Sequence, residues 1–257
     1  MDDDIRTHYE TGIERDRLTG GHSRLEFART KELLERFLPG APARVLDVGG
    51  GPGTYAAWLA DRGYDVRLVD PLPLHVDQAL ARAAGRFTAV EGDARSLDEP
   101  DESYDAVLLL GPLYHLVDRG DRLAALGEAQ RALRAGGLLA AAAISRFASL
   151  LDGLAAGYLA DPEFRAIVER DLADGQHRNP GGRLEYFTTA YFHRVEELET
   201  EVEEAGFALE GVFGVEGPGW LVGEEAGEDV LEVARRVEQE PTVIGTSAHL
   251  LAIARRP

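Results

Sequence analysis

The sequence has no cysteine, one methionine, a single lysine (Lys31) and no long apolar run. Each lack excludes something. Without cysteine there is no disulfide, no thiolate metal site and no cysteine nucleophile. Nothing then demands an oxidising compartment, and a reducing cytoplasm is the expected location. Positive charge is scarce: 27 bases face 46 acids, a net charge of −19. Binding to a phosphate backbone rests on Lys and Arg, so a nucleic-acid partner is not expected. Arginine supplies every base but Lys31, which reads as coding bias of a GC-rich genome. The longest apolar run, Leu138 to Ile144, is too short to span a bilayer, so no membrane partner is expected either. Met1-Asp2-Asp3-Asp4 has neither the basic nor the apolar region of a signal peptide.

What the chain does have is rhythm. Its 257 residues, 44% hydrophobic, are enough for one large domain. The first thirty residues read as polar and irregular, with a turn at Gly20-Gly21. A helix follows over about Leu25–Phe37. Five apolar runs then read as strands: Arg44–Val48, Val66–Val69, Phe87–Val90, Tyr104–Leu110 and Leu138–Ile144. Helical patterns separate most of them. This alternation implies a parallel sheet with right-handed crossovers, both faces covered. The rhythm breaks after Ile144. Helical patterns at Phe147–Leu159 and Pro162–Leu172 precede a loop-like Asp174–Gly182 and an aromatic cluster, an insertion over one end of the sheet. A helix (Val195–Ala205), a strand (Phe207–Val215), a helix (Gly227–Val237) and a last strand (Ser247–Ala254) resume the pattern. The fold expected is α/β, a Rossmann-like doubly wound, mostly parallel seven-stranded sheet with a helical lid inserted after strand five.

The strongest chemical signal is Asp47-Val48-Gly49-Gly50-Gly51-Pro52-Gly53, between strand one and the next helix. Glycines permit a sharp turn and close ligand approach, and the helix start offers N–H groups to an anion. Asp70 ends strand two, where an acid can accept from ribose hydroxyls. Thr54 stands where a dinucleotide motif wants its third glycine, and no G-K-[ST] ending is present. Asp47 would repel a pyrophosphate and attract an ammonium group. A cofactor with an amino-acid end therefore fits better than NAD.

The stretches VLDVGGGPG (45–53), VRLVD (66–70), EGDA (91–94), YDAVLLLGPLYHL (104–116) and RALRAGGLL (131–139) follow one another in register. In these the chain resembles the class I S-adenosylmethionine-dependent methyltransferases. Its flanks are similar to those of actinobacterial small-molecule methyltransferases. The resemblance implies S-adenosyl-L-methionine as cofactor and S-adenosyl-L-homocysteine as product. It implies that Gly49, Gly51 and Gly53 line the methionine part and that Asp47 lies near the amino group. Asp70 would take the ribose hydroxyls, Pro71 or Leu72 would pack on adenine, and Asp93 with Ala94 would meet its amino group. Leu110 and Gly111 would offer carbonyls at the end of strand four. Residues 1–40 would form cap helices over the cofactor, 41–145 the cofactor-binding core, 146–193 the lid, and 194–257 the completion of the sheet. From the cap, Tyr9 and Arg24 are the expected contacts, Arg24 as a bidentate partner of a carboxylate. Arg17 reads rather as a surface residue.

His115 sits where the donor methyl is expected, and its ordinary pKa near neutrality suits a base. Positioning alone is the alternative role, since alignment itself accelerates transfer. Tyr114 has a weaker claim to catalysis. His115, Arg146, Tyr186, Tyr191 and Trp220 are the candidate acceptor contacts. His177 and His193 match no ligand spacing, so no metal is expected. The function expected is methyl transfer to an O or N atom of a small organic acceptor, by a monomer or homodimer. A non-catalytic binding protein or, less well supported, an NAD-dependent oxidoreductase are the alternatives.

Overall fold

A computed structural model describes residues 3–19, 23–222 and 227–257. Its spine is five parallel strands: β1 (Arg44–Val48), β2 (Asp65–Asp70), β3 (Thr88–Glu91), β4 (Tyr104–Leu109) and β5 (Leu133–Ser145). They lie in the order β3-β2-β1-β4-β5. β9 (His249–Arg255) runs antiparallel to β5, and β8 (Ala208–Gly214) pairs antiparallel with β9. These are the seven strands the sequence predicts.

Period-two alternation sends neighbouring side chains to opposite faces. Leu46, Val69 and Leu139 join one core, Val45, Leu68 and Leu138 the other. The first core is closed by α6 (Arg119–Ala132) and α9 (Val195–Glu204), through Leu126, Ala129, Leu198 and Val202. The second is closed by α2 (Ser23–Phe37), α3 (Thr54–Ala60) and α4 (Pro73–Ala83), through Leu33, Leu34, Leu59 and Ala79. Each fully buried leucine contributes roughly 1.5–3 kcal/mol over exposure, so both faces hold the strand ends that carry the site.

Three features depart from the sequence reading. The N-terminal stretch is not irregular: it forms α1 (Asp3–Glu10) and a 3-10 segment, Ile13–Thr19. The turn at Gly20-Gly21 lies outside the described residues. The insertion is not purely helical. Beyond α7 (Ala148–Ala156) and α8 (Pro162–Asp174) it carries a short antiparallel hairpin, β6 (Gln176–His177) with β7 (Ala190–His193). Ile144 pairs with His249 on one side and Phe192 on the other, so β7 lies alongside β5 beyond the end of β4. The sheet thus gains two strands, for nine in all. Such short strands escape period-two reading because they show too few residues to alternate. The α7 pattern also stops early, at Gly157, whose φ of 79° ends the helix. Among the described residues, no helix is long and apolar enough to cross a membrane.

Candidate active site

The carboxyl ends of β1, β2, β3 and β4 surround one cleft. The loop after β1 supplies its floor. Gly49 has φ +67°, and a Cβ there would lie 2.6 Å from Pro112 Cγ. Gly53 has φ +79° and packs on Phe87 and Ala79. Both need glycine, but for different neighbours: Gly49 faces the cleft, whereas Gly53 does not line it and instead seats α3 on α4. The expected cofactor contact at Gly53 is thus a packing position.

Asp70 is buried. Its Oδ2 accepts the Gly51 N–H at 2.9 Å, and its Oδ1 accepts the Leu72 N–H at 2.9 Å and lies 3.1 Å from His75 Nδ1. The acid therefore braces the glycine loop and also lines the cleft. Asp47 is fully buried, and among the described residues neither carboxylate oxygen finds a full hydrogen bond, although the Ala56 amide lies nearby. Burial first, then the Asp70 charge, pushes its pKa up to about 7. An orphaned buried carboxylate is costly unless a donor or cation reaches it.

Pro71, Leu72, Ala94, Leu110 and Gly111 also line the cleft. Asp93 lines it too, and its carboxylate is held by Arg95 through Nε at 2.9 Å and Nη2 at 2.6 Å. The cap closes the cleft with Ile5, Tyr9, Glu14 and Arg17. Here the expected arginines exchange places. Arg24 is exposed on α2 and does not line the cleft. Arg17 does, bridging Glu14 (Nε–Oε1, 2.8 Å) and Glu26 (Nη1–Oε2, 2.6 Å). The 3-10 segment turns Arg17 inward, a direction that composition does not reveal.

Tyr114 and His115 lie in α5 (Pro112–His115), directly after β4. Arg122, itself buried, donates to the carbonyls of Leu116 and Val117 at 2.9 and 2.8 Å and fixes the turn that follows. Tyr9 Oη lies 2.7 Å from His115 Nε2. Burial pushes His115 down to about 4 and Tyr9 well above its ordinary value. The tyrosine hydroxyl is then the donor and the imidazole the acceptor, so the nitrogen expected to act as a base is already engaged.

A second cavity of about 380 Å³ opens beneath the insertion. It shares Tyr9, Glu14, Arg17 and Tyr114 with the cleft. Phe164, Tyr186, Phe187, Phe192 and Trp220 give it aromatic walls. Tyr186 and Trp220 thus sit where an acceptor contact is expected. Their polar tips point to protein partners: Tyr186 Oη donates to Asp161 Oδ2 at 2.9 Å, and Trp220 Nε1 to Thr246 O at 2.9 Å.

Arg146 and Tyr191 do not line that cavity, nor does His115. Arg146 is buried, donating to Phe192 O at 2.7 Å and to Glu197 Oε2 at 2.6 Å. The Tyr191 ring has the Arg122 guanidinium 3.8 Å and the Arg146 guanidinium 5.7 Å from its centroid. Both tie the hairpin to α9, because a buried guanidinium needs acceptors that backbone and carboxylate supply. His115 belongs to the cleft alone. His177 and Ser149 converge on Asp171 at 2.9 and 2.5 Å, a buried clasp between α7, α8 and β6. Sequence reasoning missed Glu14, Glu26, His75, Glu216 and His249, scattered polar residues without a motif.

Comparison with known proteins agrees with this geometry. Residues 45–137 match the methyltransferase domain family. The chain is 38% identical over 120 residues to an uncharacterized methyltransferase of Mycobacterium tuberculosis, covering 47% of each chain. It is 31% identical over 179 residues to the ubiquinone biosynthesis O-methyltransferase of Azorhizobium caulinodans, covering 67% of this chain and 61% of that one. The match thus spans about half the length of the Mycobacterium relative. The fold superposes on an S-adenosylmethionine-dependent methyltransferase of Mesorhizobium loti with a TM-score of 0.61 at 20% identity, over 90% of this chain and 100% of that one. Residues 45–137 thus carry a methyltransferase domain, on the fold of the class I S-adenosylmethionine-dependent methyltransferases.

Proposed function

We propose that the protein transfers the methyl group of S-adenosylmethionine to an O or N atom of a small organic acceptor. One observation carries this reading: the glycine-loop cleft and the aromatic cavity meet at Tyr9, Glu14, Arg17 and Tyr114. Donor and acceptor can therefore meet where the two pockets adjoin. The residues fit the cofactor. Asp47 offers an orphaned buried carboxylate to an ammonium group, and Asp70 and Asp93 offer acceptors at the ends of β2 and β3. When bound, the cofactor supplies an electrophilic methyl on a sulfonium.

The chain's own part is to bind, orient and exclude water. The cap closes the cleft, the insertion encloses the acceptor, and Tyr114 stands at their junction. His115 serves this reading as a positioning residue, fixing Tyr9 rather than taking a proton. The divisions 1–40, 41–145, 146–193 and 194–257 serve as cap, core, lid and core completion in the same reading. A small acceptor also suits the net negative charge, which disfavours nucleic acid. The relative from Azorhizobium is named for ubiquinone biosynthesis, which supports a small ring acceptor here.

The test is release of S-adenosylhomocysteine on a panel of phenols, quinols, carboxylic acids and amines. Turnover with any of these, reduced by a Tyr114→Ala substitution, is expected. Cofactor binding with no turnover across the panel would favour a non-catalytic role.

A further inference from the structure

His249 opens β9 beside the aromatic cavity, and nothing in the cofactor-binding motifs accounts for it. Its Nδ1 lies 2.5 Å from Glu216 Oε1. Glu216 is buried and also accepts from the His249 N–H at 2.9 Å and from Ser247 Oγ at 2.8 Å. Ser247 Oγ in turn accepts from the N–H groups of Glu216 and Gly217 at 2.9 and 3.2 Å. With both N–H groups pointing at it, the serine must give its proton to Glu216. Glu216 Oε2 thus accepts twice, and its Oε1 stands opposite Nδ1 of His249, which donates to it when the imidazole carries its proton. Nε2 takes no part in this chain of bonds, and His249 lines the cavity.

We propose that His249 is the polar anchor of this cavity, holding through Nε2 a neutral oxygen (carbonyl, quinone or phenol) on a flat aromatic acceptor. The proposal deepens the methyl-transfer reading and rests on it for the identity of the ligand as acceptor. The walls explain the ring: Phe164, Phe192 and Trp220 favour a flat apolar body. The charges explain the neutrality. The groups facing His249 are Glu216 beside it, Glu26 from α2, Arg17 from the cap and Asp152 from α7. Burial alone would lower the imidazole pKa, but Glu216 and Glu26 outweigh burial and lift it to about 9. At neutral pH, Nε2 is therefore an N–H donor. An ammonium group has nothing to accept that hydrogen. An anion meets acids that outnumber Arg17 and His249.

Glu26, Glu216 and His249 also place one potential ligand atom each within 4.8 Å of one another. A metal ion there would have to displace Arg17 from Glu26 and a hydrogen from the His249 ring. The cluster is thus satisfied as an ion-pair network.

The test uses three probes that share one phenylalkyl skeleton: benzylacetone (ketone), hydrocinnamate (carboxylate) and phenylpropylamine (ammonium). Each is titrated by protein-observed NMR into protein whose S-adenosylhomocysteine binding has first been measured. The ketone is expected to bind at least about tenfold more tightly than either ion, as suits a hydrogen bond from a charged donor. His249→Asn should remove that preference, and His249→Gln should restore part of it. The preference should also fall above pH ~9, where Nε2 loses its hydrogen. Equal or tighter binding of either ion, or a ketone preference that survives in His249→Asn, would overturn the proposal. If the variants do not fold, the ranking of the three probes on the unaltered protein decides. Failure of S-adenosylhomocysteine to bind would instead remove the cofactor reading, and the same ranking without it still tests His249.

Discussion

Tyr9 and His115, 106 positions apart in sequence, are joined by a 2.7 Å hydrogen bond that ties the cap to the end of β4. Burial holds the imidazole near pKa 4. A proton taken up only by the unfolded chain destabilises the fold, so this group leaves stability intact above pH ~6.5 and erodes it as pH falls toward about 4. His115 should therefore show no titration between pH ~5 and ~8 by NMR. A midpoint near 6.5 would contradict the buried arrangement.

Removing the hydroxyl tests the clasp from the other side. Tyr9→Phe leaves the buried Nε2 without its donor, a loss of about 1–3 kcal/mol locally. Hydrogen exchange in residues 3–19 should rise while exchange in β1 and β4 stays slow. Unchanged protection of the cap would show that this bond does not hold it.

Asp47 behaves in the opposite sense to His115. Its folded pKa, near 7, stands above the ordinary carboxylate value. Its contribution to stability is present at low pH and lost as pH rises through about 7. Asp47→Asn should thus stabilise the cofactor-free protein at pH ~8 by roughly 1–2 kcal/mol, while weakening S-adenosylmethionine binding by at least about tenfold. Denaturation at two pH values together with a binding titration checks both. A loss of stability at pH ~8 would contradict the orphaned carboxylate.

Arg17 and Arg24 offer a direct contrast. Arg17→Met strands Glu14 and Glu26, which pack around the cleft, and should reduce cofactor affinity about tenfold or more. Arg24→Met, on the exposed side of α2, should leave affinity within about twofold. The reverse ranking in calorimetry would restore the reading made from sequence.

The insertion depends on Asp171, which receives Ser149 and His177 in a fully buried site. Asp171→Ala leaves both without their acceptor and should cost about 2–4 kcal/mol in chemical denaturation. A cost below about 0.5 kcal/mol would show the clasp to be dispensable.

The cofactor half of the site was legible because its constraints are local. Gly49 must adopt a positive φ beside Pro112, and Asp70 must sit at a strand end to brace Gly51. Both leave fixed spacings in the chain. The lid half left none. Arg146 and Tyr191 read as pocket residues by composition, yet they serve a buried junction with Glu197 and Arg122. His249 and Glu216 are 33 positions apart, brought together by the pairing of β8 with β9. Arg17 reads as solvated because nothing in its neighbours shows that the 3-10 segment folds inward. Interactions made across the fold carry no sequence period, so only coordinates reveal them.

The central claim is that the cleft after β1 takes S-adenosylmethionine. Calorimetric titration of the purified protein with S-adenosylmethionine, S-adenosylhomocysteine and NAD tests it most directly. Saturable binding of the two sulfur compounds without NAD binding is predicted, abolished or weakened by Asp70→Ala with the fold retained. Binding of NAD alone, or affinity untouched by Asp70→Ala, would contradict it.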